Sequence, residues 1–418
     1  MDRGGSWDLE IDNKLDALFG IEKFQKEKVE LSFSEKKKFF SSFIKHFQKI
    51  KIITVAGTNG KGECARLIHG HLRKRNISAA LWTSPHILSV RERFIFNESL
   101  IKEADFEEGL AQIPRELSYY EGLFYLFCHW AKSLEGLEVI LLEVGLGGRL
   151  DATNFFDTDL VCLTSISRDH CHILGNTLEE ILLEKLGVCR NKIPLISALT
   201  SDTLNKKVST FVETHQIPWV NLKEKYPKLP LAAYWDQNML VSLTAVDLLT
   251  RSVDNLQSFD LEKLPLPKNS PGRFEQMTLE NRGFIFIGAH NLDGLRVLVQ
   301  SIYNRVNLDE ESECFFALSD REDDEINSMM EVIISCERMR KNTSICFFDH
   351  PRALNREKLL SVLDKRKEAG KEELKFVKSW TEAIDKSSCE KTLILGSYYF
   401  ISEVQKHLLN RGAHIISN

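Results

Sequence analysis

Short apolar runs rich in β-branched residues recur through the first ~265 residues, separated by longer stretches with apolar positions at helical spacing. The runs Ile52–Val55, Glu138–Leu142, Leu160–Ser165 and Pro194–Ala198 predict strands, and 63–75, 103–113, 120–134, 177–189 and 203–215 predict helices. Alternation of this kind predicts a mainly parallel sheet with helices on both faces. Aromatic residues at helical spacing dominate Tyr119–Trp130, a pattern that core packing explains. A helix-like stretch, Met239–Leu249, closes this part of the chain.

Three of the chain's ten prolines fall in Leu264-Pro-Leu-Pro-Lys-Asn-Ser-Pro-Gly272, where regular structure is blocked. The expected organisation is a first domain at 1–265, a linker at 266–276 and a second domain at 277–418. Within the second, Gly283–Ile287, Cys314–Leu318, Ser344–Phe348 and Thr392–Leu395 predict strands between helical segments. A chain of 418 residues is long enough for such a division. The cleft between two α/β domains is the expected place for an active site.

Composition narrows the class. A hydrophobic content of 43% with 28% charged residues is that of a globular protein. The net charge of −5 comes without a basic block, which argues against nucleic acid as partner. Glu35-Lys-Lys-Lys38 reads as the solvated face of a helix. The N-terminus carries no apolar signal-like region, and the apolar runs stop short of the ~20 residues that span a bilayer, so a cytoplasmic location is expected. Nine cysteines without a CxxC pair predict reduced, buried thiols.

Two segments carry chemistry. Lys51–Ala56, then Gly57-Thr-Asn-Gly-Lys-Gly62, then the helical stretch from Glu63 form a strand, a Gly-rich turn with a lysine, and a helix. Backbone amides and a helix N-terminus can then cradle phosphate while Lys61 reaches its terminal groups. Val55 stands where a strict phosphate-loop pattern has its first glycine, so an ordinary turn before a helix is the competing reading. Farther on, Glu143-Val-Gly-Leu-Gly-Gly-Arg-Leu-Asp-Ala-Thr-Asn154 puts a carboxylate at the end of an apolar run and three glycines behind it. Such a turn suits a metal or a phosphate better than it suits a core.

These segments, with Thr83-Ser-Pro-His86 and Arg91-Glu-Arg93, resemble the folylpolyglutamate synthase/dihydrofolate synthase family of Mur-ligase-like ATP-dependent amide ligases. Further matching elements run in order: Thr164-Ser-Ile, Asp169-His170, Thr177-Leu-Glu-Glu180, Glu184-Lys185, Pro271-Gly-Arg-Phe-Glu275, Gly288-Ala-His-Asn291, Pro351-Arg-Ala353 and Gly396-Ser397. The resemblance implies an α/β fold: an N-terminal P-loop NTPase-like domain with a mainly parallel sheet, and a smaller C-terminal Rossmann-like domain. It implies a reaction in which ATP phosphorylates a carboxylate and the amine of L-glutamate displaces the phosphate. The acceptor would be dihydropteroate or the glutamate tail of a reduced folate, and the protein would be a monomer.

Residue by residue, the resemblance assigns Gly57, Thr58, Asn59, Gly60, Lys61, Gly62 and Glu63, with Arg273, His290 and Asn291, to ATP. It assigns Ser84, Glu143 and His170 to Mg2+, and Pro85, His86, Arg149 and Asp151 to substrate. Lys61, Glu143, His170 and Lys185 would form the catalytic set, Lys185 aligning with a lysine that can be carbamylated. Read without the resemblance, His170 is an ordinary histidine, and Lys185 is equally a surface partner of Glu180. A pterin pocket is the lesser reading of Tyr119–Trp130.

The chain departs from the family at two places. Glu63 stands where a small hydroxyl residue is usual, and Ile287 and Leu292 stand where aspartate and proline are common. A carboxylate ~4 Å from a phosphate charge costs about 4 kcal/mol at an effective dielectric of ~20. Glu63 must therefore ligate a metal or turn away. A Mur-type ligase with another carboxylate acceptor, or a nucleotide-binding protein without turnover, are the alternatives that these departures leave.

Overall fold

The computed structural model describes residues 6–20, 31–227, 234–249, 271–305, 312–371 and 374–416. The chain divides into two compact units, Met1–Leu264 and Pro265–Asn418.

Eight strands build the first unit's sheet: β1 Lys51–Ala56, β2 Ala79–Trp82, β3 Phe94–Phe96, β4 Ser99–Leu100, β5 Val139–Glu143, β6 Leu160–Leu163, β7 Leu195–Ser197 and β8 Trp219–Asn221. Their order is β4-β3-β2-β5-β1-β6-β7-β8. All pairs from β2 to β8 are parallel, while β3 and β4 pair antiparallel at one edge. Side chains alternate between the faces of a strand, and β1 shows it. Ile52 packs with Trp82, Phe124 and Phe127, whereas Ile53 and Val55 pack with Ile68, Leu72 and Val241. Helix Tyr119–Lys132 thus covers one face, and helices Lys61–Lys74 and Tyr234–Leu248 cover the other.

The aromatic pattern of Tyr119–Trp130 is a core pattern: Phe124 stacks on Phe40 and Trp130 packs on Phe127 and Phe94. A Ser118–Glu121 capping box starts this helix and a Thr177–Glu180 box starts helix Leu178–Leu186, so two otherwise free backbone donors are satisfied at each. All nine cysteines are free, and six of them are buried. No helix among the described residues is long and apolar enough to cross a membrane.

The second unit's sheet runs β13-β12-β11-β14-β10-β9-β15. Its strands are β9 Arg273–Leu279, β10 Arg282–Ile287, β11 Glu313–Ala317, β12 Thr343–Cys346, β13 Lys375–Val377, β14 Lys391–Gly396 and β15 His414–Ile415. Strands β10 to β13 pair in parallel, and β9 and β15 add antiparallel. Most of the proline-rich segment, 264–270, lies outside the described residues. Arg273, expected in the linker, instead opens β9.

Candidate functional site

The first unit's chemistry gathers where β1, β5 and β6 end. Val55 is the register partner of Glu143, and Ala56 of Leu163, so the Gly-rich turn after β1 is flanked by a carboxylate on one side and Thr164 on the other. Gly57 has φ +144°, and a β-carbon there would overlap Thr164 Oγ1 and come within 3.1 Å of Ser165 N. Only glycine lets the turn lie this close to the neighbouring loop. The turn is tied down by hydrogen bonds. Thr58 N donates to Ser165 O at 2.7 Å, Asn59 N to Ser165 Oγ at 2.9 Å, and Thr164 Oγ1 to Asn59 O at 2.7 Å. Gly60, with φ +84°, caps helix Lys61–Lys74 without a side chain of its own.

Two lysines face this turn. Lys61 Nζ donates to Thr58 O at 3.0 Å. Lys185 is 3% exposed and donates to Gly57 O at 2.9 Å. Burial, followed by the Lys61 charge, lowers its pKa from 10.5 to about 7. This overturns the surface pairing of Lys185 with Glu180, whose carboxylate instead accepts from Asn176 N and Thr177 N at the helix start.

Glu143 ends β5 fully buried. Its Oε2 accepts from Thr83 Oγ1 and, at 2.9 Å, from Ser84 N. His86 lies on the same loop, where its Nδ1 accepts from Arg93 Nε at 2.9 Å, and Pro85 between them is exposed. The glycines behind Glu143 make room for neighbours. A β-carbon on Gly145 would stand 2.6 Å from the Tyr120 ring, and one on Gly148 would stand 2.9 Å from Glu184 O.

Asp151 holds this turn in shape. Its Oδ2 accepts from Gly145 N and Leu146 N, each at 3.0 Å, and its Oδ1 from Thr153 N, Thr153 Oγ1 and Tyr120 Oη. Burial pushes its carboxyl pKa upward, against the pull of those bonds. Arg149 points outward and forks onto Glu184 Oε1 with Nε at 3.0 Å and Nη2 at 2.9 Å. Both were expected to meet substrate. Asp151 is engaged by the turn and Arg149 by a surface pair.

In the second unit, Gly288-Ala-His-Asn291 follows β10 and precedes helix Leu292–Arg305. Asn291 is buried and its Oδ1 accepts from Gly294 N at 2.9 Å. The His290 ring lies 5.2 Å from that of Tyr398, and the Arg273 guanidinium lies 5.4 Å above the same Tyr398 ring. A bulge between β9 and β10 sets that arginine: the register shifts at Phe286/Ile287, and Phe274 takes φ +55°. Gly288 makes way for Tyr398, because a β-carbon there would overlap the ring. Ile287 belongs to the second unit's core.

No family model matches the chain. The dihydrofolate synthase/folylpolyglutamate synthase of Bacillus subtilis is 28% identical over 404 residues, covering 86% of this chain and 91% of its own length. That of Haemophilus influenzae is 32% identical over 256 residues, covering 55% and 56%. The crystal structure of bifunctional folylpolyglutamate synthase/dihydrofolate synthase from Yersinia pestis, complexed with AMPPNP and Mn, matches with a TM-score of 0.71 at 23% identity, covering 98% of this chain and all of that one. The chain is similar to the dihydrofolate synthase/folylpolyglutamate synthases over most of its length.

Against that family's pattern, the sequence-expected residues divide. Gly57–Gly62, Lys185, Ser84 and Glu143 cluster at the ends of β1 and β5. His170 lies on the loop after β6, in the left-handed conformation at φ +51° and with its side chain half exposed. Among the described residues, no three His, Cys, Asp or Glu side chains stand close enough to share an ion. A magnesium ion nevertheless suits this donor set. It is usually held by one or two carboxylates, waters and substrate phosphates, and both donors to Glu143 fall on the same oxygen.

Two contributors escaped the sequence reading. Tyr398 gathers Arg273 and His290, and Asn238 reaches Glu63, its Nδ2 donating to Glu63 Oε2 at 2.6 Å. Asn238 sits one turn inside helix Tyr234–Leu248, just before the apolar run Met239–Val241.

Proposed function

We propose that this chain is an ATP-dependent ligase that adds L-glutamate to dihydropteroate, to the glutamate tail of reduced folates, or to both. The observation that carries the reading is the register of β1 with β5, which sets Glu143 beside the start of a lysine-bearing Gly-rich turn. The turn's amides and Lys61 hold the phosphates of ATP. The γ-phosphoryl group passes to an acceptor carboxylate oxygen as its bond to ADP breaks. The glutamate amine then attacks the acyl carbon and phosphate leaves. Such chemistry asks for positioning and charge neutralisation more than for covalent help.

Glu143 and Ser84, with His170, would hold magnesium, which neutralises phosphate charge when bound. Lys185 takes a second part. With a pKa near 7, a substantial fraction is neutral at physiological pH, the form that can react with carbon dioxide to give a carbamate. Arg273, His290 and Asn291 supply the second unit's contacts to the nucleotide, and Pro85 and His86 face the acceptor. Arg149 and Asp151 belong to the substrate side, Asp151 also shaping its turn.

The protein works as a monomer in the cytoplasm, which sedimentation and fractionation check. The reaction itself is tested by following ADP and phosphate release. The reading expects sustained turnover only when Mg-ATP, acceptor and L-glutamate are all present. Release with a pterin acceptor omitted would contradict it and favour another carboxylate substrate.

A further inference from the structure

Glu63 is the feature that fits a phosphate loop least. It occupies the third position of helix Lys61–Lys74, close to the N-terminal end that attracts anions. A carboxylate left free there competes with phosphate for the same positive end. Helix Tyr234–Leu248 addresses this with two side chains one turn apart, which therefore project from one face. Tyr234 Oη accepts from Asn59 Nδ2 at 3.0 Å, and Asn238 Nδ2 donates to Glu63 Oε2 at 2.6 Å. Asn238 is 1% exposed and Glu63 8%. The Asn238 amide also seats against the turn itself, since a β-carbon on Gly60 would lie 2.5 Å from its Nδ2.

We propose that Asn238 is a positioning residue for nucleotide binding: it restrains the Glu63 carboxylate so that its charge does not oppose the phosphates. This rests on the reading of Gly57–Gly62 as a phosphate-binding turn. The amide is suited to the task. It donates a charge-assisted hydrogen bond without adding a positive charge that would rival Lys61 for the nucleotide. The pairing accounts for how this chain carries glutamate where its family commonly has a hydroxyl residue.

The test is calorimetric titration of Mg-AMPPNP into the full chain, joined to steady-state kinetics in ATP. Asn238→Ala is expected to weaken binding about tenfold to a hundredfold, the loss of one hydrogen bond to a charged group. KM for ATP should rise in step while kcat stays within about threefold. Adding Glu63→Gln to Asn238→Ala should return most of the affinity, because the repelling charge is gone. A merely structural role would leave the double variant as weak as the single one.

Unchanged binding in Asn238→Ala, or no recovery in the double variant, overturns the proposal. Should Asn238→Ala not fold, Glu63→Gln alone decides. Binding at least as tight as the parent supports the proposal, and weaker binding shows that the carboxylate helps the nucleotide and overturns it. Failure of the parent chain to bind Mg-AMPPNP removes the phosphate-turn reading itself.

Discussion

The turns after β1 and β10 follow the same plan, a buried parallel strand, a glycine, polar residues and a helix, yet they are built for different tasks. After β1 the glycine is required by its own φ of +144° and by the Thr164 hydroxyl, with the main chain of Ser165 close behind. Two lysines, one buried, converge on the turn. After β10 the glycine is required by a side chain, since Gly288 gives way to Tyr398. The cation there, Arg273, comes from a bulged neighbouring strand and rests over an aromatic ring. The same strand–turn–helix frame therefore yields a turn held by a neighbouring loop and faced by two lysines in one unit, and a turn backed by an aromatic ring and an arginine in the other. What distinguishes them is which neighbour fills the space that the glycine leaves.

The comparison breaks first at Lys61. Lys61→Ala should lower ligation by about a thousandfold, since an aimed positive charge on transferring phosphate contributes on that scale. Arg273→Ala should cost clearly less, and rate assays at saturating glutamate compare them. Equal losses would mean that the two turns share the work.

Stability sharpens the same contrast. Gly57→Ala meets the Thr164 hydroxyl, crowds the main chain of Ser165 and takes a φ that disfavours side chains, so it should destabilise by about 3 kcal/mol or more. Gly288→Ala meets the Tyr398 ring, which can swing, and should cost about 1–2 kcal/mol. Denaturant melts of both variants check the order.

Lys185 gives the turn after β1 a pH signature. Its folded pKa of about 7 lies below the ordinary 10.5, so between those values the unfolded chain holds a proton that the folded chain lacks. Stability attributable to Lys185 therefore rises with pH across that window, and below pH 7 the cost of burying the charge is felt in full. Thermal melts of the parent and Lys185→Met should show the parent gaining on the variant from pH 7 toward pH 10. Parallel curves would place the lysine in a wetter setting.

The smallest effect belongs to Arg149. Its pair with Glu184 is exposed on the arginine side, so Arg149→Ala should change stability by less than about 1 kcal/mol.

Much of the fold was legible in the chain. Ile52–Val55, Leu160–Leu163 and the helices between them followed from apolar period and length, because buried parallel strands and amphipathic helices write themselves locally. Strands β3, β4 and β15 were not, being two or three residues long and formed by pairing rather than propensity. At the site, Gly57–Gly62 and Glu143 were visible because a Gly-rich turn after a strand is a local signal. The burial of Lys185 was not, since its helix offers Glu180 five residues away and only the tertiary fold turns the amine to Gly57 O. The roles of Tyr398 and Asn238 depend on contacts more than a hundred residues apart in sequence, which no local pattern carries.

The central claim is tested most directly by mass spectrometry of products from the purified chain with Mg-ATP, L-glutamate and either dihydropteroate or tetrahydrofolate. The account predicts a mass gain of one glutamate residue on dihydropteroate, further additions on the folate, or both, and far less product with Lys61→Ala. Intact acceptors under conditions where Mg-AMPPNP binds would contradict it, and would leave a nucleotide-binding protein whose acceptor, or whose turnover, is something else.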